Sequence, residues 1–295
     1  MKDTKIGVVG GDLRQLYAAE ELAQQGFECA AFGFDNCKKE IRLATRTIRL
    51  EDAIRFSEAI ILPLPYSTDN IHLNTPLSKN EIHLGDLFSL FTPGQIIAGG
   101  KFDDTAASLA KERGVTLADY YDREDLAVLN AVPTAEGAVS IAMNASPSTV
   151  SGSRVLVVGF GRIGKILSHK LAGLGADVSV SARSLSDFAW IEAYGYTKIS
   201  YDEFDAALPA FDIIFNTVPA IMLDAARLDL LKPDAVVIDL ASRPGGVDSD
   251  AAKAKNREVI SALSLPGKYA PQTAGRTLSR AVEIILTSAK ENVQS

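Results

Sequence analysis

A turn of three glycines follows an apolar strand in the second half of the chain and could bind a dinucleotide. The segment VLVVGFGRIGKILSHKLAGLGADVSVSARS, residues 155–184, reads as a strand, a glycine turn, a helix and a second strand. Gly159 would permit the tight turn, Gly161 would let a pyrophosphate approach the backbone, and Gly164 would let the helix pack closely on the strand. Free N–H groups at the start of the helix would hold the phosphates. The spacing in this context predicts a cofactor turn of Gly159, Phe160, Gly161, Arg162, Ile163 and Gly164.

The tip of the second strand carries an arginine where a NAD site usually carries Asp or Glu. An acid at this position would bond the ribose hydroxyls and repel a 2′-phosphate. Arg183, flanked by Ser181 and Ser184, offers a guanidinium and two hydroxyl donors, which suit a phosphate. The segment therefore predicts an NADP site. The alternative is that Arg183 is only a solvated loop residue.

Two later strand ends should complete the cofactor cleft, because ligands of such sheets bind at the carboxyl ends of the strands. One strand closes with Asn216-Thr217-Val218-Pro219, and the next runs into Ser242-Arg243-Pro244. Ordinary turn chemistry would explain the prolines and glycines here but not Thr217 and Ser242. We therefore expect the nicotinamide riboside to contact Thr217, Val218, Pro219 and Ser242.

The elements that must position these residues alternate between short apolar runs and helical segments. This alternation is typical of parallel sheets with helices on both faces. The sequence predicts the α/β class, with two Rossmann-like doubly wound parallel-sheet domains joined by a long helix. The predicted strands lie at 5–11, 27–33, 59–65, 95–100 and 115–121 in the first half, and at 154–159, 177–182, 211–218 and 235–241 in the second.

The expected domain limits are 1–132 for a substrate or partner domain and 133–275 for an NADP-binding domain. Thr134 could cap the connecting helix through AEGAVSIAMNA. The tail, 273–292, reads as one amphipathic helix. The C-terminal helix, 276–295, could pack back on the first domain.

Composition excludes several classes of protein. A chain of 295 residues with 47% hydrophobic and 23% charged residues is typical of a globular protein, and its net charge of −7 argues against a nucleic-acid partner. Two cysteines exclude a disulfide framework, and the three histidines lack the spacing of metal ligands. No apolar run approaches the roughly 18–20 residues of a membrane span, and the N-terminus lacks a signal peptide. These features indicate a cytoplasmic protein with no metal and no membrane contact.

Several motifs in order along the chain match one family. They are GVVGGDLRQ, LPLP, NAVPTAEGA, VLVVGFGRIG, NTVPA, IDLAS-PGG and LPGKYAPQTAGR. GGDLRQ, PTAEGA and PGKYAPQTAGR are much more specific than the glycine turn, which many dehydrogenases share. The chain resembles the dipicolinate synthase A subunit of spore-forming bacteria. The resemblance implies oxidation of dihydrodipicolinate to dipicolinate (pyridine-2,6-dicarboxylate) during sporulation, in the mother cell, together with the dipicolinate synthase B subunit, which is flavoprotein-like.

A dicarboxylate substrate calls for cationic or N–H-rich walls, and its oxidation calls for a base. The cationic candidates are Arg14 behind the first glycine turn, Arg243 at a strand end, and Lys268 and Arg276 in the predicted PGKYAPQTAGR loop. Thr134 is a further substrate candidate. The candidate bases are Asp12, Glu136 and Tyr269, and the sequence does not choose among them. We expect Gly10, Gly11, Thr134, Ser242 and the 266–276 loop to line one cleft between the domains.

Two other functions compete with this one. A D-2-hydroxyacid dehydrogenase would need a histidine acid/base near the end of the cofactor domain, but no histidine follows His169, which lies on the helix behind the glycine turn. A non-catalytic NADP-binding subunit, serving as a regulator or scaffold, is the alternative from another class. A homo-oligomer is left open.

Overall fold

The fold class expected from the sequence is confirmed by a computed structural model that describes residues 4–294, with side chains through Ala289. The chain divides into two compact units, Met1–Asn130 with Ala270–Ser295, and Ala131–Tyr269. Each unit is built on a six-stranded parallel sheet with flanking helices.

The first unit alternates strands and helices along the chain. Its elements are β1 Lys5–Val9, α1 Leu13–Gln24, β2 Glu28–Phe32, β3 Thr45–Arg46, α2 Leu50–Arg55, β4 Ala59–Ile61, α3 Leu84–Ser89, β5 Ile96–Gly99, α4 Asp104–Arg113, β6 Thr116–Asp119, the start of α5 Glu124–Ala145, and α12 Pro271–Gln294. The strands lie in the order β3-β2-β1-β4-β5-β6. The central strands are buried on both faces, with Ile6, Val8, Ile60 and Ile61 fully enclosed, as expected for a parallel sheet covered by helices.

The second unit repeats this topology. Its elements are β7 Arg154–Val158, α6 Arg162–Gly173, β8 Asp177–Ser181, α7 Leu185–Ala193, β9 Thr197–Ile199, α8 Phe204–Ala207, β10 Ile213–Asn216, α9 Ala225–Leu230, β11 Val236–Asp239, α10 Ser249–Ala254, β12 Val259–Ser261 and α11 Leu265–Tyr269. The strands lie in the order β12-β11-β10-β7-β8-β9. The strand order reverses between β7 and β10, and a ligand crevice is expected at the carboxyl ends of such a pair.

The connecting helix begins well before the residue that the sequence suggested. α5 starts at Glu124, not at Thr134, and Pro133 lies inside it. The acidic residues Glu124 and Asp125 lie in its first turn, where their negative charges interact favourably with the helix dipole. Proline removes a hydrogen bond from a helix interior, so packing must compensate. Fully buried alanines on both sides of Pro133 supply that packing: Ala131, Ala135, Ala138 and Ala142.

α5 also corrects the expectation that no apolar run reaches the length of a membrane span. Its 22 residues are long and apolar enough to cross a membrane by length and composition alone. Half of its most apolar stretch is buried inside the structure. Core helices of globular proteins meet the same criteria of length and composition.

The segment PGKYAPQTAGR is helical where a loop was expected. Lys268 lies on α11 and Arg276 lies on α12. Pro266 and Pro271 fall in the first turns of these two helices, where the N–H that proline lacks has no intrahelical partner. The prolines therefore mark helix starts and not a continuous loop.

α12 packs against α1 in the first unit. Leu278, Val282 and Leu286 share a buried cluster with Leu16 and Leu22 of α1. Gly275 marks the closest approach, because a Cβ there would overlap the Cβ of Tyr17 and lie 2.7 Å from the carbonyl oxygen of Arg14. The absence of a side chain at this residue lets the two helices meet.

We predict that Gly275→Ala destabilises the first unit, because the added methyl group has no room between α12 and α1. Overpacking of this kind costs about 1–3 kcal/mol. Thermal unfolding followed by circular dichroism should show a lower midpoint. The matched control is Gly173→Ala at the end of α6, where a Cβ would meet nothing within 4 Å; it should leave the midpoint unchanged or raise it. Equal midpoints for the two variants would contradict the close-approach argument.

Candidate dinucleotide site

The glycine turn of the second unit has the geometry of a phosphate-binding turn. Gly159 has a φ of +96°, and a Cβ there would lie 2.5 Å from the Thr217 hydroxyl. A Cβ on Gly164 would overlap the carbonyl oxygen of Gly159. Gly161, the N-cap of α6, has open space where its Cβ would point and no side chain caps the helix. Each glycine thus has the local environment that its proposed role requires, and the turn fits a pyrophosphate at the start of α6.

The equivalent turn of the first unit is closed by its own side chains. Asp12 caps α1, and Gln15 completes a capping box by accepting from the Asp12 N–H at 3.0 Å. A Cβ on Gly11 would lie 2.5 Å from the Gln15 amide, and one on Gly10 would lie 2.8 Å from Thr75. The two units share a sheet order, but a phosphate finds open backbone only at the turn of the second.

Asp12 and Arg14 form an ion pair with each other. The Arg14 guanidinium donates to both carboxylate oxygens of Asp12 at 2.9–3.1 Å and to the carbonyl oxygen of Leu64 at 2.9 Å. Asp12 also accepts from the Arg14 N–H as a helix cap. A capping and pairing role therefore accounts for the Asp12 carboxylate, and Arg14 could hold a substrate carboxylate only through donors that this pairing leaves.

Among the three residues expected to bind the 2′-phosphate, Ser181 differs from Arg183 and Ser184 in its burial. Ser181 is fully buried, and its hydroxyl has no partner among the described residues. The four residues 178–181 of β8 are all buried, as expected for a parallel strand covered on both faces. This burial does not support the expectation that the Ser181 hydroxyl reaches a 2′-phosphate, which stays a prediction.

Arg183 and Ser184 lie at the surface beyond this strand. Arg183 is exposed and makes no hydrogen bond or ion pair within the part of the chain that the structure describes. The Ser184 hydroxyl donates to the Asp187 carboxylate at 2.7 Å and accepts from the Asp187 N–H at 3.0 Å, which caps α7. The guanidinium is free to bind an anion, whereas the Ser184 hydroxyl is engaged with an acid that the sequence motifs did not single out.

The end of β10 lies beside the turn, and the end of β11 lies next to that of β10. Asn216 pairs in register with Val158, so Thr217 follows directly alongside Gly159. The Thr217 hydroxyl donates to the Val158 carbonyl at 2.9 Å, which holds the strand end against the turn. Ser242 is exposed after β11. Val218 is half-buried and Pro219, Ser242 and Arg243 are exposed, so these side chains remain candidates for cofactor and substrate contact.

The remaining candidates lie on helices. Glu136 on α5 pairs with Lys170 on α6 at 2.8 Å. Tyr269 packs over Gly137 and is about half exposed. Lys268 is exposed on α11, and Thr134 is half-buried within α5. Nε of Arg276 on α12 lies 3.6 Å from a carboxylate oxygen of Glu21 on α1. Arg14 lies on the same helix, α1.

A carboxylate–imidazole pair lies in the first unit and was not predicted from the sequence, because the spacing of the histidines was compared only with that of metal ligands. Asp69 accepts from Nδ1 of His72 at 2.8 Å, and this hydrogen bond raises the pKa of His72. The backbone N–H groups of His72 and Ile71, with the His72 ring, hold the pKa of Asp69 below its usual range. The pair borders a cavity of about 370 Å³, together with Thr75, Ser78 and Lys79. The spacing Asp-x-x-His was the available signal.

Comparisons with known proteins extend over both units. Residues 5–121 match the family model of the dipicolinate synthase A subunit N-terminal domain, and residues 133–265 match that of the D-isomer specific 2-hydroxyacid dehydrogenase NAD binding domain. The dipicolinate synthase A subunit of Bacillus subtilis (strain 168) is 32% identical over 96% of this chain and 95% of its own. The crystal structure of the dipicolinate synthase A subunit from Bacillus halodurans is 30% identical, with a TM-score of 0.86 over 96% of this chain and 97% of that one. A structure of L-alanine dehydrogenase, with a TM-score of 0.69 at 14% identity over 99% and 90% of the two chains, shares the fold.

Fold and site together define an oxidoreductase of the dehydrogenase type, with a nicotinamide-dinucleotide domain as its second unit. The first unit adds a match to a domain that is described by one family, the dipicolinate synthase A subunit. The chain belongs to the dipicolinate synthase A subunit family. The resemblance inferred from the sequence motifs is thereby confirmed, and the match to the hydroxyacid dehydrogenase NAD binding domain covers residues 133–265.

We predict that Gly161→Val abolishes dinucleotide binding while the protein stays folded. The valine side chain would occupy the open space that a pyrophosphate needs, and the φ of −76° at this residue suits any amino acid. Titration of NADPH fluorescence measures binding, and circular dichroism measures folding. Gly173→Val, the same change at the far end of α6, is the control and should bind normally. Normal binding by a folded Gly161→Val protein would show that the glycine turn is purely structural.

Proposed function

We propose that this protein, together with the flavoprotein-like B subunit of dipicolinate synthase, oxidises dihydrodipicolinate to dipicolinate with NADP as the hydride acceptor. The observation that carries the proposal is the match along 96% of the chain, which includes both units, to the dipicolinate synthase A subunit. The setting that this implies is the cytoplasm of the mother cell during sporulation.

The choice of NADP depends on Arg183. A 2′-phosphate carries negative charge, and a planar guanidinium can donate two parallel hydrogen bonds to it. Arg183 is exposed and unpaired among the described residues, so binding would break no existing ion pair. The neighbouring Asp187 carboxylate acts in the opposite direction, but it is already accepting a hydrogen bond from Ser184. These features favour NADP over NAD.

The reaction asks little covalent chemistry of the protein. The bound nicotinamide supplies the hydride acceptor, and loss of a hydride and a proton leaves an aromatic pyridine ring. The residues of the chain must orient the dihydropyridine ring and receive the proton. Arg243 and Lys268 in the second unit, and Arg14 and Arg276 in the first, are proposed to bind the substrate carboxylates, with Thr134 as a neutral donor. Asp12, Glu136 and Tyr269 are the proposed bases.

A second candidate function is that of a non-catalytic NADP-binding subunit. It is favoured by the state of the proposed bases. Asp12 is held by Arg14, and Glu136 is held by Lys170. Tyr269 packs over Gly137. A protein that only binds the nucleotide would need none of these groups as a base.

We predict that Arg183→Ala weakens NADP binding selectively. A hydrogen bond to a charged group contributes roughly 1.5–3 kcal/mol, which corresponds to about one to two orders of magnitude in affinity. Calorimetric titrations with NADP and NAD at fixed ionic strength should show this loss for NADP and little change for NAD. Arg154→Ala is the control. Arg154 is the first residue of β7, so it lies at the amino ends of the strands, away from the glycine turn at their carboxyl ends. This variant removes the same charge and should leave both affinities unchanged. Equal losses for both cofactors in Arg183→Ala would reduce Arg183 to a solvated loop residue.

We also predict that the purified protein, mixed with the B subunit, forms dipicolinate and NADPH in equal amounts from dihydrodipicolinate and NADP. NADPH absorbance and product chromatography measure the two yields. Turnover by this protein alone would place the chemistry on its own residues. If NADP binds but turnover survives replacement of Asp12, Glu136 and Tyr269 and requires the B subunit, the non-catalytic function is correct.

A further inference from the structure

A buried carboxylate joins two loops at the carboxyl edge of the second sheet. Asp239 is the last residue of β11 and is 7% exposed. Its Oδ1 accepts from Nδ2 of Asn216 at 2.8 Å and from the Ala241 N–H at 3.1 Å. Its Oδ2 accepts from the Gly246 N–H at 2.9 Å. All three donors are neutral, so the carboxylate is held by hydrogen bonds and not by an ion pair.

Asn216 links this carboxylate to the neighbouring strand end. It is fully buried at the end of β10, and the Nδ2 that donates to Asp239 also lies 3.0 Å from the Val218 carbonyl. Its Oδ1 accepts from the Val218 N–H at 3.3 Å. The segment 216–218, which contains two of the proposed cofactor contacts, is therefore tied through one amide to Asp239.

The same carboxylate closes the turn that follows β11. Its backbone donors, Ala241 and Gly246, stand on either side of Ser242 and Arg243. Gly246 leaves no spare room, because a Cβ there would overlap Nδ2 of Asn216. The turn is thus fixed at both ends although its central residues are exposed.

The chemistry of Asp239 exceeds what packing alone requires. Burying a carboxylate is costly unless it is well hydrogen-bonded, and an apolar side chain could fill the same volume. An ionised acceptor forms shorter and stronger hydrogen bonds than a neutral one, so it can fix a turn whose exposed residues would otherwise move. The position of this group, between two loops that end at the cofactor edge, gives that rigidity a use.

We propose that Asp239 is a positioning residue that fixes the 241–246 turn against the 216–218 strand end. It thereby holds Ser242 and Arg243 in a set place beside the residues that receive the nicotinamide. The part of this inference that concerns substrate rests on the proposed function, whereas the part that concerns loop order and nucleotide binding does not.

The test is Asp239→Asn, which removes the charge and replaces one acceptor oxygen by an NH₂ group that cannot accept an N–H. Amide hydrogen exchange at 217–218 and 241–247 should become at least about tenfold faster, since loss of a charged hydrogen bond costs that much or more. NADPH, titrated by fluorescence, should bind about tenfold more weakly or worse. The KM for dihydrodipicolinate should rise, because Arg243 would no longer be held in place.

Asp212→Asn is the matched control. Asp212 precedes β10 and lies at the amino ends of the strands, whereas Asp239 lies at their carboxyl ends. Asp212 accepts from Lys232 at 2.6 Å and from the Arg154 N–H at 2.8 Å. Its replacement should lower the unfolding midpoint without changing exchange at 241–247 or the NADPH affinity. If Asp239→Asn does not fold, Asn216→Ala removes the link while keeping the carboxylate, and it should speed exchange at 217–218 and weaken NADPH binding.

A folded Asp239→Asn protein with unchanged loop exchange and NADPH affinity would overturn the inference, as would a folded Asn216→Ala protein with the same result. Failure of the proposed oxidation would be seen differently, as absence of turnover by the wild-type protein mixed with the B subunit. The exchange and NADPH measurements would still decide the role of Asp239.

Discussion

The close contact between Gly159 and Gly164 is the constraint on which the cofactor edge depends. Because no Cβ stands between the Gly159 carbonyl and α6, the helix can start directly behind β7. That placement directs the uncapped amino end of α6 to the point where the strand order reverses. The absence of a Cβ on Gly159 then leaves room for Thr217, which ties β10 to β7. A side chain at either glycine would separate these elements and remove the anion site.

The two units show how little sequence change is needed to close such a site. Both have the same sheet order and both place glycine after the first strand. In the second unit the N-cap of the helix is Gly161, which leaves its amide groups open to a ligand. In the first unit the N-cap is Asp12, whose carboxylate satisfies the helix N–H groups and would repel a phosphate. Gln15, in place of the third glycine, fills the remaining space.

The sequence predicted the features that depend on local chemistry. The glycine turn, the long central strands and the two parallel sheets follow from backbone sterics and apolar runs, and the fold class is confirmed. The short edge strands β3, β9 and β12 were missed, because they lack the longer apolar run that marks the central strands. The start of α5 was misplaced because Pro133 usually ends a helix, and only packing of buried alanines explains its continuation. The burial of Ser181 could not be predicted from the sequence, because tertiary structure decides whether a strand end is covered. The Asp239 network could not be foreseen, since it joins residues 23 positions apart through a buried amide.

Because the protein is negatively charged overall, binding of an anionic ligand depends on a few individual cations. With a net charge of −7, the chain as a whole does not attract a dicarboxylate or a phosphorylated cofactor. Ionic screening limits the range of attraction between exposed charges to about 8 Å at physiological salt, so attraction must come from cations that contact the ligand. Many cations in this structure are already paired, such as Lys170 with Glu136, Lys232 with Asp212 and Arg14 with Asp12. A paired cation offers less to an incoming anion because its partner must be displaced or shared. Arg183, exposed at the strand tip and without a hydrogen bond or ion pair among the described residues, carries no such penalty as a proposed anion ligand, and the same holds for Arg243 and Lys268.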